Sequence, residues 1–239
     1  MNEINDCIII GGGKSIEKGL SLGLRERLTN KFVIATNYAY KHFPHTFLTF
    51  LDRDFYVSTY AKKEPDKYPD IYNELKQLPL IIGLEKNDGI KEFLLPNTYI
   101  IKCPKKELPN PHLTGLFALC IAEALEPKQI MLLGFDWSKQ PIPVDKNKYN
   151  PNSNLDIHYY GKEIKHRGLG YTGYYDNHNP DKLFSCFNNS KSKIYNVSLN
   201  SNINNFEKIS YAQFFGLMSN KIDNQGELRK EIKEKLCIV

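Results

Sequence analysis

The sequence predicts an α/β protein with a Rossmann-like, doubly wound and mostly parallel sheet. Three observations carry that expectation. Short apolar runs of strand length alternate with helical periodicities along most of the chain. The first such run, Cys7–Ile10, ends in Gly11, Gly12 and Gly13, and a helical pattern follows with Ile16, Leu20, Leu24 and Leu28 on one face. The run Gln129–Phe135 is apolar after its first residue, as a strand covered on both faces must be, and it delivers Asp136 at its end.

The opening stretch reads as strand, tight turn, helix. Glycine carries no Cβ, so the backbone of Gly11–Gly13 can approach a ligand closely while the N–H groups of a helix starting at Ser15 point at an anion. Two stricter patterns fail. A P-loop ending in Gly13-Lys14-Ser15 needs glycine where Ile8 stands, and the dinucleotide pattern needs one at Ile16. The alternative is a turn whose glycines serve geometry alone. Lys31–Thr36 reads as a second strand delivering Asn37, and Thr46–Leu51 as a third delivering Asp52; strand ends are where ligands of open sheets sit. Asn37 is a poor match for the acidic residue that holds the ribose of NAD. A short helix over Ile71–Leu78 should stop at Pro79, with Leu80–Ile82 and Thr98–Ile101 as strands beyond it. Thr114 is the expected cap of an apolar helix, Leu116–Leu125. From Trp137 to Tyr175 periodicity vanishes over a stretch far longer than the roughly 12–15 residues of an ordinary long connection, which predicts a lid or binding insertion. Asp181–Phe187 reads as a short helix, Lys193–Val197 as the last of seven strands, and Ser210–Met218 and Gly226–Leu236 as terminal helices. The expected division is a nucleotide-binding domain over 1–206, with its lid at 137–179, and a C-terminal helical extension over 207–239.

Composition narrows the classes. With 239 residues, 41% of them hydrophobic, the chain can build a proper core, and no apolar run approaches the ~20 residues of a membrane span. Met1–Asp6 lacks the basic and apolar regions of a signal peptide. The five cysteines are far apart and lack C-x-x-C spacing, so they read as reduced side chains of a cytoplasmic protein. A net charge of +5 favours an anionic partner, but the lysines are scattered and no basic block indicates nucleic acid.

Several segments in order, CIIIGGGKS, VIATNYAY, FLTFLDRDFY, TGLFALCIAEALEPKQIMLLGFDWS and KIYNVSLNSNINNF, resemble the MptE-like and motility-accessory-factor group and the related bacterial sialyltransferases that use CMP-sialic acid. The resemblance covers roughly residues 5–54 and 112–206, and similar proteins occur in phage genomes. It implies a transferase of modified Rossmann fold. Gly11, Gly12, Gly13, Lys14 and Ser15 would hold the donor phosphate or ribose, Asn37 and Asp52 the donor sugar and base, Thr114 and Gly115 would line the pocket, and Asp136 would lie beneath the nucleotide. A histidine base in these sialyltransferases corresponds to His178, and paired tyrosines assist the leaving phosphate. Ser138 stands where such a tyrosine is expected, so that role falls to Tyr149, Tyr159, Tyr160 or Tyr171, with Tyr171 carried forward.

Asp52-Arg53-Asp54 has the D-x-D form that holds a divalent cation on a nucleotide diphosphate, so Asp52 and Asp54 are the candidate metal ligands and Mg²⁺ the candidate ion. The alternative is a solvated strand end. His158 and His166 read as ordinary loop histidines, and their spacing with His178 fits no zinc pattern. Tyr171, Tyr174 and Tyr175 suit stacking on a base or anchoring of the loop. The expected activity is glycosyl transfer from a nucleotide sugar to a hydroxyl acceptor. A Mg²⁺-dependent pyrophosphokinase acting on a pterin-like acceptor and a non-catalytic nucleotide-binding module are the alternatives. The pattern at Glu227–Leu236 suits a packing helix or a homo-oligomer contact.

Overall fold

The computed structural model describes residues 3–51, 69–85, 95–108, 111–137, Tyr159 and 179–238. Eight strands form one sheet: β1 (Asp6–Ile10), β2 (Val33–Thr36), β3 (Phe47–Phe50), β4 (Ile81–Leu84), β5 (Thr98–Ile101), β6 (Gln129–Leu133), β7 (Lys193–Asn196) and β8 (Glu207–Lys208). Their order is β5-β4-β3-β2-β1-β6-β7-β8, and every neighbouring pair is parallel. The fold is therefore an α/β, doubly wound one. The chain builds outward from β1 to β5, returns to the other side of β1 as β6, and builds outward again. The β1/β6 boundary is the point where strand order reverses, and the registers Ile10↔Leu133 and Ile10↔Ala35 align the carboxyl ends of β6, β1 and β2.

Strand alternation divides the core into two layers. Ile8 and Ile10 of β1 face the layer of α1 (Ser15–Leu20), α2 (Leu24–Arg27), α3 (Pro69–Gln77) and α6 (Tyr211–Leu217), through Ile16, Leu24, Leu75, Tyr211 and Phe214. Cys7 and Ile9 face the layer of α4 (Thr114–Ala124), α5 (Pro180–Phe184) and α7 (Gln225–Lys235). Burying an Ile, Leu or Phe side chain contributes about 1.5–3 kcal/mol, so these strands, buried on both faces, hold the sheet. Helix α4 is buried from Leu116 to Ala122, as a helix without a polar face must be, and it packs over β1, β2 and β3. Leu228 and Ile232 of α7 enter the same layer, and Lys235 Nζ donates to Leu125 O at the carboxyl end of α4 (2.7 Å).

Several expectations change in detail. The single helix from Ser15 to Leu28 is two pieces: the chain breaks after Leu20, which is 38% exposed, and Gly23 restarts it at φ 75°. Thr114 lies inside the first turn of α4, and Leu113 occupies the cap position. Residues 207–238 open with a strand of the main sheet and send α6 to one layer and α7 to the other. Among the described residues no helix is long and apolar enough to cross a membrane.

Candidate functional site

The carboxyl ends of β1 and β6 are joined by backbone contacts that only small residues permit. Gly11 N–H donates to Leu133 O (2.8 Å) and Gly13 N–H to Gly134 O (2.9 Å). A Cβ on Gly11 would stand 2.8 Å from Gly134 O, and one on Gly134 would stand 3.0 Å from Gly13 N, with Gly134 itself at φ 72°. The Gly11 and Gly13 N–H groups thus bind Leu133 and Gly134, so the close approach at these positions is of backbone to backbone.

Asp136 stands at the mouth of this joint. Its Oδ2 accepts the Ser15 N–H (2.8 Å) and its Oδ1 accepts the Ser15 hydroxyl, so a carboxylate sits where α1 begins. A Cβ on Gly13 would meet Asp136 Oδ2 at 2.5 Å. Gly13 is therefore the residue whose smallness admits the carboxylate. The backbone around Asp136 is held from the β7 side. Ser201 Oγ and Asn196 Nδ2 donate to Phe135 O (2.7 and 3.0 Å), Asn202 N–H donates to Asp136 O (3.0 Å), and Asn202 Nδ2 donates to Trp137 O (2.7 Å). Three consecutive carbonyls are fixed by one Asn- and Ser-rich turn, and Trp137 is held at φ 45°.

Asn37 at the end of β2 adopts φ 47° and opens a 3₁₀ turn over Asn37–Lys41. Its Oδ1 accepts the Thr114 hydroxyl (3.3 Å), which brings the end of β2 to the first turn of α4. Gly115 packs its Cα on the Phe135 ring, where a Cβ would come within 2.8 Å. Lys14 pairs with Glu17 at 3.1 Å. From the long insertion, Tyr159 N–H donates to Gly12 O (3.0 Å), and its ring packs edge-on against His42 and Phe43.

The structure thus gathers Gly11, Gly12, Gly13, Ser15, Asp136 and Tyr159 at the reversal point, with Asn37, Thr114 and Gly115 linked across the ends of β2 and α4. Asp52, Asp54, Tyr149, His158, Tyr160, His166, Tyr171, Tyr174, Tyr175 and His178 lie outside the described residues. Among the described residues no group of three His, Cys, Asp or Glu side chains could hold a metal ion.

Sequence reasoning missed Gly134, the clamp of Asn196, Ser201 and Asn202, and Tyr211. The Gly-Phe-Asp triplet and the run of asparagines near residue 200 were their only signals. Tyr211 of α6 packs against Gly19, where a Cβ would stand 2.5 Å from its ring. Burial, and then the Asp136 carboxylate, push its phenol well above the ordinary value of 10.

No family model matches the chain. No curated protein matches it either. Among solved structures, that of the sialyltransferase CST-II in complex with CMP matches with a TM-score of 0.48 and 20% identity, over 92% of this chain and 90% of that one.

Proposed function

We propose that the chain is a transferase that binds a nucleotide sugar over the β1/β6 joint and passes its sugar to a hydroxyl acceptor. One observation supports this reading above others: Asp136 and Ser15 meet at the reversal point of a parallel sheet, and the Asn37–Thr114 pair ties the end of the adjacent β2 to α4. Ligands of such sheets bind beyond the carboxyl ends of the strands at that point. A hydroxyl, a carboxylate and an amide in that place have the chemistry that recognises ribose hydroxyls and base edges. The choice of a nucleotide sugar comes from the sequence resemblance.

In this reading the acceptor oxygen attacks the anomeric carbon as its bond to the donor phosphate breaks, and the hydroxyl proton passes to a base. His178 is the proposed base and Tyr171 the proposed partner of the leaving phosphate. Asn179, the next residue after His178, caps α5 by accepting the Asp181 N–H, and Phe184 of α5 packs edge-on against Phe135 and Trp137, which flank Asp136. Mg²⁺ on Asp52 and Asp54 would neutralise the diphosphate of a donor that carries one.

The test is calorimetric titration of CMP, UDP, GDP and their sugar conjugates into the wild type, Asn37→Ala and Asp136→Ala. One base should bind. Each variant should weaken it about tenfold or more, the equivalent of one hydrogen bond to a charged or polar group. Absence of any nucleotide binding, or equal affinity in folded variants, overturns the assignment.

A further inference from the structure

The place where α1 begins already holds an anion, and that anion belongs to the chain. Asp136 Oδ2 accepts the Ser15 N–H (2.8 Å), and its Oδ1 accepts the Ser15 hydroxyl. Four more N–H groups of this stretch are committed as well: Gly11 to Leu133 O, Gly13 to Gly134 O, Ile16 to Gly13 O (3.3 Å) and Glu17 to Lys14 O (3.0 Å). Lys14 Nζ pairs with Glu17. A phosphate is held by N–H groups that point at it and is repelled by a carboxylate. The joint is built the other way round.

What it presents to a ligand is a set of acceptors. An ionised carboxylate donates nothing and has about four lone-pair directions, of which Ser15 takes two. The rest stand beside the Ser15 oxygen, which has given its proton to Asp136 and accepts only. Asp136 and Ser15 are both half-buried, so a ligand can reach them. Asn196, Ser201 and Asn202 fix the carbonyls of Phe135, Asp136 and Trp137, which keeps these acceptors in place. Neighbouring acceptors of fixed direction match neighbouring hydroxyl donors, and in a nucleotide those are the 2′,3′-diol of ribose.

We propose that the Ser15–Asp136 pair reads the 2′,3′-diol of a ribonucleotide, that the phosphate of the ligand is turned away from the glycine turn, and that 2′-deoxyribonucleotides and ribose 3′-phosphates are rejected here. The proposal rests on the nucleotide reading above and adds to it which part of the ligand meets this joint. A 2′-deoxy sugar displaces water from the carboxylate and returns no hydrogen bond for it. A 3′-phosphate replaces a donor with a second negative charge.

Calorimetric titration of CMP, UMP, GMP and AMP into the wild type selects the base, which is then titrated as its 2′-deoxy-5′-monophosphate and as its 3′,5′-bisphosphate. Each should bind about tenfold or more weakly than the parent ribonucleotide, the loss of one hydrogen bond to a charged group. Asp136→Asn keeps the shape and turns one acceptor oxygen into a donor. In it the parent should bind more weakly, and the 2′-deoxy penalty should fall below about threefold. Should Asp136→Asn not fold, Ser15→Ala, which keeps the carboxylate and removes the hydroxyl that orients it, should reduce the penalty in the same way. Equal affinity for ribo and 2′-deoxy forms, equal or tighter binding of the bisphosphate, or a penalty unchanged in the folded variant overturns this proposal and leaves the transferase reading standing. Absence of binding by all four monophosphates overturns it too, and the nucleotide sugars of the preceding test then decide whether the transferase reading falls with it.

Discussion

Gly13 is the residue on which the candidate site turns. Its φ is not left-handed, so space alone requires glycine there: an added Cβ would lie 2.5 Å from Asp136 Oδ2 and 2.7 Å from Gly134 O. Gly134 O lies just past the end of β6 and is tied to Gly13 N–H, so an added Cβ strains this joint and the Asp136 side chain must move as well. Gly13→Ala should therefore push the carboxylate off Ser15, destabilise the fold by about 1–3 kcal/mol as overpacking does, and weaken nucleotide binding about tenfold. Urea denaturation and calorimetry check the two effects. Unchanged affinity in a folded Gly13→Ala would separate the Ser15–Asp136 contact from ligand binding. Asp136 was legible as a strand-end acid, and Ser15 as a helix start. Their bond was not, because residues 121 apart in sequence meet only once the order of β1 and β6 is known.

At the scale of elements, α6 shows how a short helix is held. Ser210 Oγ accepts the Gln213 N–H and Gln213 Oε1 accepts the Ser210 N–H, so two donors that the first turn would leave unpaired are satisfied reciprocally. Ser210→Ala should cost about 1 kcal/mol, read as a lower urea midpoint with unchanged slope. A loss within error would mean that Tyr211 and Phe214, packed in the core, hold α6 without its cap. Strands and helices with a clear apolar signal were legible to within one or two residues, since burial on both faces leaves continuous Ile, Val and Leu runs. The two-residue β8 has no such run, and its edge position shows only in its pairing with β7. The break between α1 and α2 was hidden because Leu20 keeps the helical spacing while its side chain is partly exposed; Gly23, at φ 75°, carries the information.

The whole molecule is closed by its C-terminal part, which reaches both layers, and Tyr211 is where that part meets the candidate site. Its ring fills the space above Gly19 and stacks edge-on with Phe214, so it joins α6 to α1. Among the described residues its buried hydroxyl has no hydrogen-bond partner. Such a group contributes packing through its ring and a desolvation cost through its oxygen. Burial and Asp136 raise its folded-state pKa above the ordinary value of 10, so the unfolded chain ionises first. The stability this group carries is complete below pH 10 and falls as pH rises from there through the folded-state value, by up to about 1.4 kcal/mol per pH unit. Cys7, raised from 9.0 by burial and then by Asp6, adds a loss of the same sign that starts near pH 9. Tyr211→Phe keeps the ring and removes the titrating oxygen. It should leave the urea midpoint at pH 7 equal or higher and make the decline above pH 10 shallower, with the Cys7 contribution remaining. A Tyr211→Phe protein destabilised by more than about 1 kcal/mol at pH 7, the net worth of an ordinary hydrogen bond, would show that the hydroxyl has a partner and overturn this account of the joint.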